Sequence, residues 1–83
     1  MASNFQKKVK KEYDKKGYKV IKLIRLSENG YPDLMCLKDG KSLFIEVKEK
    51  NDTLKELQKY RIDQLRSMGF EAFCLKDGIG KIY

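Results

Sequence analysis

Residues 30–48 read GYPDLMCLKDGKSLFIEVK. Two apolar runs flank Asp39-Gly40, a dipeptide that strongly marks a tight hairpin. The stretch therefore reads as a strand over 33–38, a turn, and a return strand over 41–48. Pro32 fixes its own φ and lacks an amide donor, which suits the start of a strand. Side chains alternate along a strand, so Leu43, Ile45 and Val47 share one face and Phe44, Glu46 and Lys48 the other. Both faces begin apolar, the mark of a central strand covered on both sides. Glu46 and Lys48 break that pattern at the C-terminal end. Folding back at 39–40 brings Asp33 opposite residues 46–48, to within a residue or two. Two carboxylates and a lysine are thus expected to meet at one end of the hairpin. The plainer reading is a local Glu46–Lys48 pair at a sheet rim, which is common and weak.

The segments on either side supply the layers that such a strand needs. Residues 4–16 predict a helix, capped by Ser3 or Asn4 and ended by Gly17. Its apolar stripe is Phe5, Val9 and Tyr13 at i, i+4 and i+8, and most of the remainder is lysine. Residues 18–26 predict a strand, and SENGYP (27–32) predicts a turn. A second helix is expected over about 53–68, with Asp52 or Thr53 as cap and Gly69 as terminator. Residues 70–76 alternate as a further strand. Asp77-Gly78 turns again, and 81–83 is a candidate short last strand. The order is αβββαβ with one possible added strand. The crossover helix between the third and fourth strands favours a parallel pair there. The fold class is α/β, a mixed sheet flanked by helices, in one domain spanning 1–83.

In the second helix Leu54, Leu57, Leu65 and Met68 define the apolar stripe. At 100° per residue Gln58 lies about 40° from Leu54, and Arg61 about 20° on the other side. Polar groups inside a buried stripe need partners, so both are expected to face something polar between helix and sheet. Arg61 has the alternative of snorkelling past the core edge.

Composition narrows the class. A hydrophobic fraction of 41% with 11% aromatic residues is enough to fold and excludes a disordered composition. A domain this small buries only about 60–65% of its unfolded surface, so a second copy would add stability. No run approaches the ~18 apolar residues of a membrane span. The basic start MASNFQKKVKK leads into no hydrophobic core and is not a signal peptide, so a cytoplasmic protein is expected. Histidine is absent and there is no CxxC, which excludes the common structural zinc sites. Cys36 and Cys74 each lie in an apolar run and read as buried thiols. Lys and Arg number 19 against 12 Asp and Glu, a net charge of +7. That excess suits nucleic acid, and also acidic membrane surfaces. Lys7, Lys8, Lys10 and Lys11 are the first candidates to contact nucleic acid, with a solvated helix face as the equal alternative.

Two carboxylates on rigid strands form a hard-oxygen site suited to Mg²⁺. Their repulsion is relieved when one takes a proton or when a cation lies between them. With no histidine to act as base, water activated by a divalent ion is the natural nucleophile toward a phosphodiester. An adjacent lysine can orient that water or stabilise the charge that develops.

GYPDL, then FIEVK about a dozen residues on, then a helix bearing Gln58, resembles the PD-(D/E)xK nuclease superfamily. More narrowly the chain is similar to the small stand-alone VRR-NUC domains of phages and bacteria. The resemblance covers nearly the whole chain, from the first helix to the closing strand GFEAFCL. It implies a restriction-endonuclease-like fold and metal-dependent hydrolysis of DNA phosphodiester bonds. It further implies that Asp33, Glu46 and the carbonyl of Val47 hold Mg²⁺, with Mn²⁺ as substitute. Lys48 would assist the attacking water, and Gln58 would help to hold the site. Stand-alone members of this kind are expected to be homodimers acting on branched DNA such as four-way (Holliday) junctions, in a bacterial host cell. The family also carries a glutamate on its first helix, about eleven residues before the closing glycine. That position is Gln6 here, while Glu12 is the only glutamate of this helix. Both lie about 60° from the centre of the apolar stripe on opposite flanks, so periodicity does not choose between them. Position favours Gln6 and leaves the site one carboxylate short. Glu12 has the alternative of pairing with Lys8 or Lys16.

The rivals to a structure-selective endonuclease are a non-catalytic nucleic-acid-binding module that keeps the fold, and a small basic interaction protein. A binding module has no need of Asp33, Glu46 and Lys48 together, which favours the enzyme.

Overall fold

The hairpin over residues 34–48 forms the centre of the molecule. The computed structural model describes residues 3–83. In chain order the elements are α1 (Asn4–Lys15), β1 (Lys19–Lys22), β2 (Leu34–Lys38), β3 (Lys41–Lys48), α2 (Glu56–Ser67), β4 (Glu71–Lys76) and β5 (Gly80–Lys81). The sheet runs β1-β2-β3-β4-β5. All neighbours are antiparallel except β3 and β4, which are parallel across the α2 crossover as expected. Asp39 and Gly40 adopt φ of 51° and 75°. Positive φ at both central residues is what a hairpin turn matched to strand twist requires. The turn fixes the register Leu34↔Ile45 and Lys38↔Lys41.

One helix covers each face. Val9 of α1 packs on Val20, Leu34, Cys36, Leu43, Ile45 and Phe73, with Phe5 and Tyr13 beside them. On the opposite face Ile62 and Leu65 of α2 pack on Ala72 and Cys74, flanked by Phe44 and Tyr31. β3 therefore alternates as read, with Leu43, Ile45 and Val47 toward α1 and Phe44, Glu46 and Lys48 toward α2. The α2 side is the thinner core because its upper part is given over to Glu46 and Lys48. Cys36 and Cys74 are free and buried, and burial pushes both thiols up to about 11.

Three boundaries differ from the sequence expectation. β1 stops at Lys22, not at residue 26. Leu23 still donates its amide to Asp33 O at 2.8 Å, but β2 begins only after Pro32. Residues 24–26 thus have no strand opposite, and Ile24 is 86% exposed. α2 begins at Glu56 and not near residue 53. Asp52 accepts the amide of Glu49 through its own side chain and closes a turn instead of capping a helix. The last strand is Gly80–Lys81, starting one residue ahead of the expected 81–83, and Ile82 still donates its amide to Cys74 O at 3.0 Å.

The buried stripe of α2 is also rotated. Leu57 and Met68 are exposed, at 44% and 58%, and the buried residues are Ile62 and Leu65. The inward direction shifts by about 70° toward Ile62 at 100° per residue. Gln58 then sits near the middle of the inward face, and Arg61 moves to its flank.

Candidate active site

Asp33 sits one residue before β2, so the Leu34↔Ile45 register places it opposite Glu46 at the sheet end. Its Oδ2 accepts the amide of Val47 at 2.9 Å, taking the place of the next ladder bond. Successive residues of a strand direct their peptide groups to opposite edges. Lys48 O accepts from Asp77 N on the β4 side, so the Val47 peptide groups point the other way, toward Asp33. The Val47 carbonyl thereby opens into the space where β2 has ended.

Glu46 is 3% exposed and Lys48 8% exposed. Lys48 Nζ lies 3.5 Å from Glu46 Oε2, and Gln58 Nε2 donates to the same oxygen at 3.4 Å. Burial, then the neighbouring Asp33 carboxylate, pushes Glu46 up to about 8, with Lys48 pulling the other way. That rise favours the neutral form of Glu46 near neutral pH, which spares the site one buried charge. Gln58 is held in turn, because its Oε1 accepts the amide of Lys55 at 2.9 Å. One side chain thus closes the start of α2 and reaches the site.

The approach to Asp33 is clamped from the side. Arg61 Nε donates to Asn29 O at 2.9 Å, and Nη2 lies 3.5 Å from Glu28 Oε1. Its guanidinium stacks 4.6 Å above the Tyr31 ring. Tyr31 Oη donates to Gln64 Oε1 at 2.8 Å, an oxygen that Arg61 Nη1 also reaches at 3.3 Å. Gly30 lets this segment lie close on α2. Its φ is +87°, and a Cβ there would stand 2.6 Å from Leu57 Cγ. Arg61 therefore holds the loop before Asp33 and does not point between helix and sheet. Sequence reasoning missed Tyr31, Gln64 and Gly30 as supports. The one signal available was Gln64 three residues after Arg61, on the same helix flank.

The structure brings together Asp33, Glu46, Val47, Lys48 and Gln58, and keeps the other candidates apart. Gln6 shares a shallow groove with Lys22 and Leu34, beside the start of β2. Glu12 lies in a different groove, against Leu75, Asp77 and Gly80. It also pairs loosely with Lys16 at 3.9 Å. The four α1 lysines spread over the helix face opposite the buried Val9. Lys7 and Lys10 flank the Gln6 groove, Lys8 the Glu12 groove, and Lys11 faces solvent. Lys10 is bound to Asp14 at 2.9 Å. Among the described residues no three Asp, Glu, Cys or His side chains converge as a metal-binding group.

The VRR-NUC domain family matches residues 3–76. The chain belongs to the VRR-NUC family. A solved VRR-NUC domain is 31% identical, with a TM-score of 0.72, over 83% of this chain and 76% of the other. Archaeoglobus fulgidus Hjc, described as a Holliday junction resolvase from an archaeal hyperthermophile, is 22% identical. It superposes with a TM-score of 0.70 over 90% of this chain and 66% of its own. A search of curated proteins finds no match. This VRR-NUC chain is thus a nuclease-family domain with a resolvase-like fold. No helix among its described residues is long and apolar enough to cross a membrane.

Proposed function

We propose that this VRR-NUC domain is a divalent-metal-dependent endonuclease that cuts branched DNA, four-way junctions among them. The observation that carries the reading is the buried Glu46 beside the half-buried Asp33, with Lys48 3.5 Å from Glu46. A sheet rim with a purely structural role gains nothing from a carboxyl that burial, and then a second carboxylate beside it, push toward its neutral form.

The residues fit a hard cation. Both carboxylates and the Val47 carbonyl are oxygen donors, the set preferred by Mg²⁺ and tolerant of Mn²⁺. Asp33, Glu46 and Val47 would hold the ion, with Glu46 giving up its proton to do so. Such an ion supplies Lewis acidity at a phosphoryl oxygen and lowers the pKa of a water. The protein's own groups do the rest. Lys48 presents a fixed ammonium to the attacking water and to charge growing on phosphorus. Gln58 restrains the Glu46 carboxylate, and the Val47 amide restrains that of Asp33, so little reorganisation is needed.

Preference for branched DNA is supported by the fold shared with Hjc. Cutting two strands of a junction needs two such sites, and each copy of residues 1–83 carries one, which favours a homodimer. The excess of +7 suits a polyanion. A second reading, a binding module without catalysis, is favoured by one observation: among the described residues no third carboxylate joins Asp33 and Glu46.

The test is incubation of the purified protein with labelled four-way junction, flap and linear duplex in Mg²⁺, Mn²⁺ or EDTA. Metal-dependent cutting with the junction preferred supports the proposal. Tight junction binding without cutting in either metal selects the second reading.

A further inference from the structure

Beside the site lies a groove of about 280 Å³ whose walls are mostly polar. That is about nine water volumes, enough for a hydrated phosphate group. One wall is the segment beyond β1, with Leu23 and Arg25. The other is the clamped loop with Glu28, Asn29 and Tyr31, and the groove runs to Asp33. Both walls are anchored at one end or more. The first is tied by the Leu23 amide to Asp33 O, and the second by Arg61 and Gln64.

The charges of the groove are unevenly committed. Glu28 is paired with Arg61, and one oxygen of Asp33 is occupied by the Val47 amide. Arg25 is exposed and forms no salt bridge among the described residues. No backbone carbonyl of the described residues accepts from the amides of residues 24–31. A guanidinium with no salt-bridge partner on the wall of a polar channel is the chemistry of a phosphodiester site. Ile24, exposed beside Arg25, adds an apolar rim suited to the face of a deoxyribose.

We infer that this groove carries the DNA strand next to the cleaved position, with Arg25 gripping the neighbouring phosphate. The inference rests on the nuclease reading above and adds the strand's path to it. Arg25 is a binding residue here, and the chemistry stays with Asp33, Glu46 and Lys48.

The test compares wild type, Arg25→Ala, Arg25→Lys and Lys41→Ala. Lys41 opens β3 at the opposite end from the site, about 23 Å away at strand rise, and controls for loss of one charge. Binding of a labelled four-way junction is measured in Ca²⁺ over a salt series, and single-turnover cleavage in Mg²⁺. Arg25→Ala should weaken binding about tenfold, as loss of one charge-assisted contact predicts. It should also lower the salt slope by about one. Arg25→Lys should recover part of both, and Lys41→Ala should stay within about twofold of wild type, on screening grounds. Equal binding and equal salt slopes for Arg25→Ala and Lys41→Ala would overturn the inference while leaving a cutting wild type intact. A wild type that neither binds nor cuts DNA would overturn the nuclease reading, and this inference with it.

Discussion

The carboxylate of Asp33 accepts the amide of Val47 at 2.9 Å, so the hairpin's last rung is made by a side chain. The same bond aims the Asp33 carboxylate beside Glu46. The structural role of Asp33 can therefore be separated from its proposed chemical one. Asn keeps an oxygen for the Val47 amide, whereas Ala removes it. Asp33→Asn should melt close to wild type, bind junction DNA as tightly or more tightly, and lose cleavage. Asp33→Ala should also lose about 1 kcal/mol of stability. Thermal melts with parallel binding and cleavage assays check this. Unfolding of the Asn variant would make Asp33 chiefly structural.

The proton on Glu46 makes stability depend on pH. Its carboxyl is raised from 4.5 to about 8 in the folded chain. Between those values the folded state holds a proton that the unfolded state has lost. Metal-free stability should therefore fall as pH rises through that window, at up to about 1.4 kcal/mol per pH unit, and level off above it. Mg²⁺ should flatten the profile by favouring the ionised form. Melting temperatures of wild type and Glu46→Gln from pH 5 to 9, in EDTA and in Mg²⁺, measure the effect. A Glu46→Gln profile that matches wild type in EDTA would assign the slope to other groups.

Gly30 is constrained twice, by a φ of +87° and by Leu57 Cγ at 2.6 Å from any added Cβ. Gly30→Ala should cost about 1–3 kcal/mol through strain and overpacking. Adding Leu57→Ala should restore the overpacking part only, since the backbone strain stays. Denaturant titration of the two single variants and the double variant reads the coupling. Full additivity would mean that the loop does not rest on Leu57.

Gln6 lies beside Leu34 and Glu12 does not, so the two substitutions should behave differently. Gln6→Glu adds a carboxylate near the start of β2, and at a helix N-terminus it is electrostatically favoured. It should lower the Mg²⁺ concentration for half-maximal cleavage severalfold. Glu12→Gln should leave it unchanged. Metal titrations of the cleavage rate decide, and the reverse ranking would place the helix contribution at Glu12.

The legible features were the local ones. Asp39-Gly40 and the period of two marked the hairpin and, to within a residue or two, the meeting of Asp33 with Glu46 and Lys48; the exact register came from the structure. Gln58 was legible because it interrupted a helical stripe, as did Arg61. The end of β1 was not legible, because strand length depends on whether a partner lies opposite, and Pro32 delays β2. The rotation of α2 was hidden because Ile62 fills the core while Leu57 rests on Gly30 at the loop. The Tyr31–Gln64 bond joins residues 33 positions apart, a separation that periodicity does not read. What Arg61 touches was hidden for the same reason.

The most direct measurement is single-turnover cleavage of a labelled four-way junction by wild type and Lys48→Met, with binding followed in parallel. Wild type should cut in Mg²⁺ and stop in EDTA. Lys48→Met should bind the junction comparably and cut about 10²-fold more slowly or worse, the scale of losing one positioned charge at a transition state. A wild type that binds without cutting, or a Lys48→Met variant that cuts at the wild-type rate, would contradict the account.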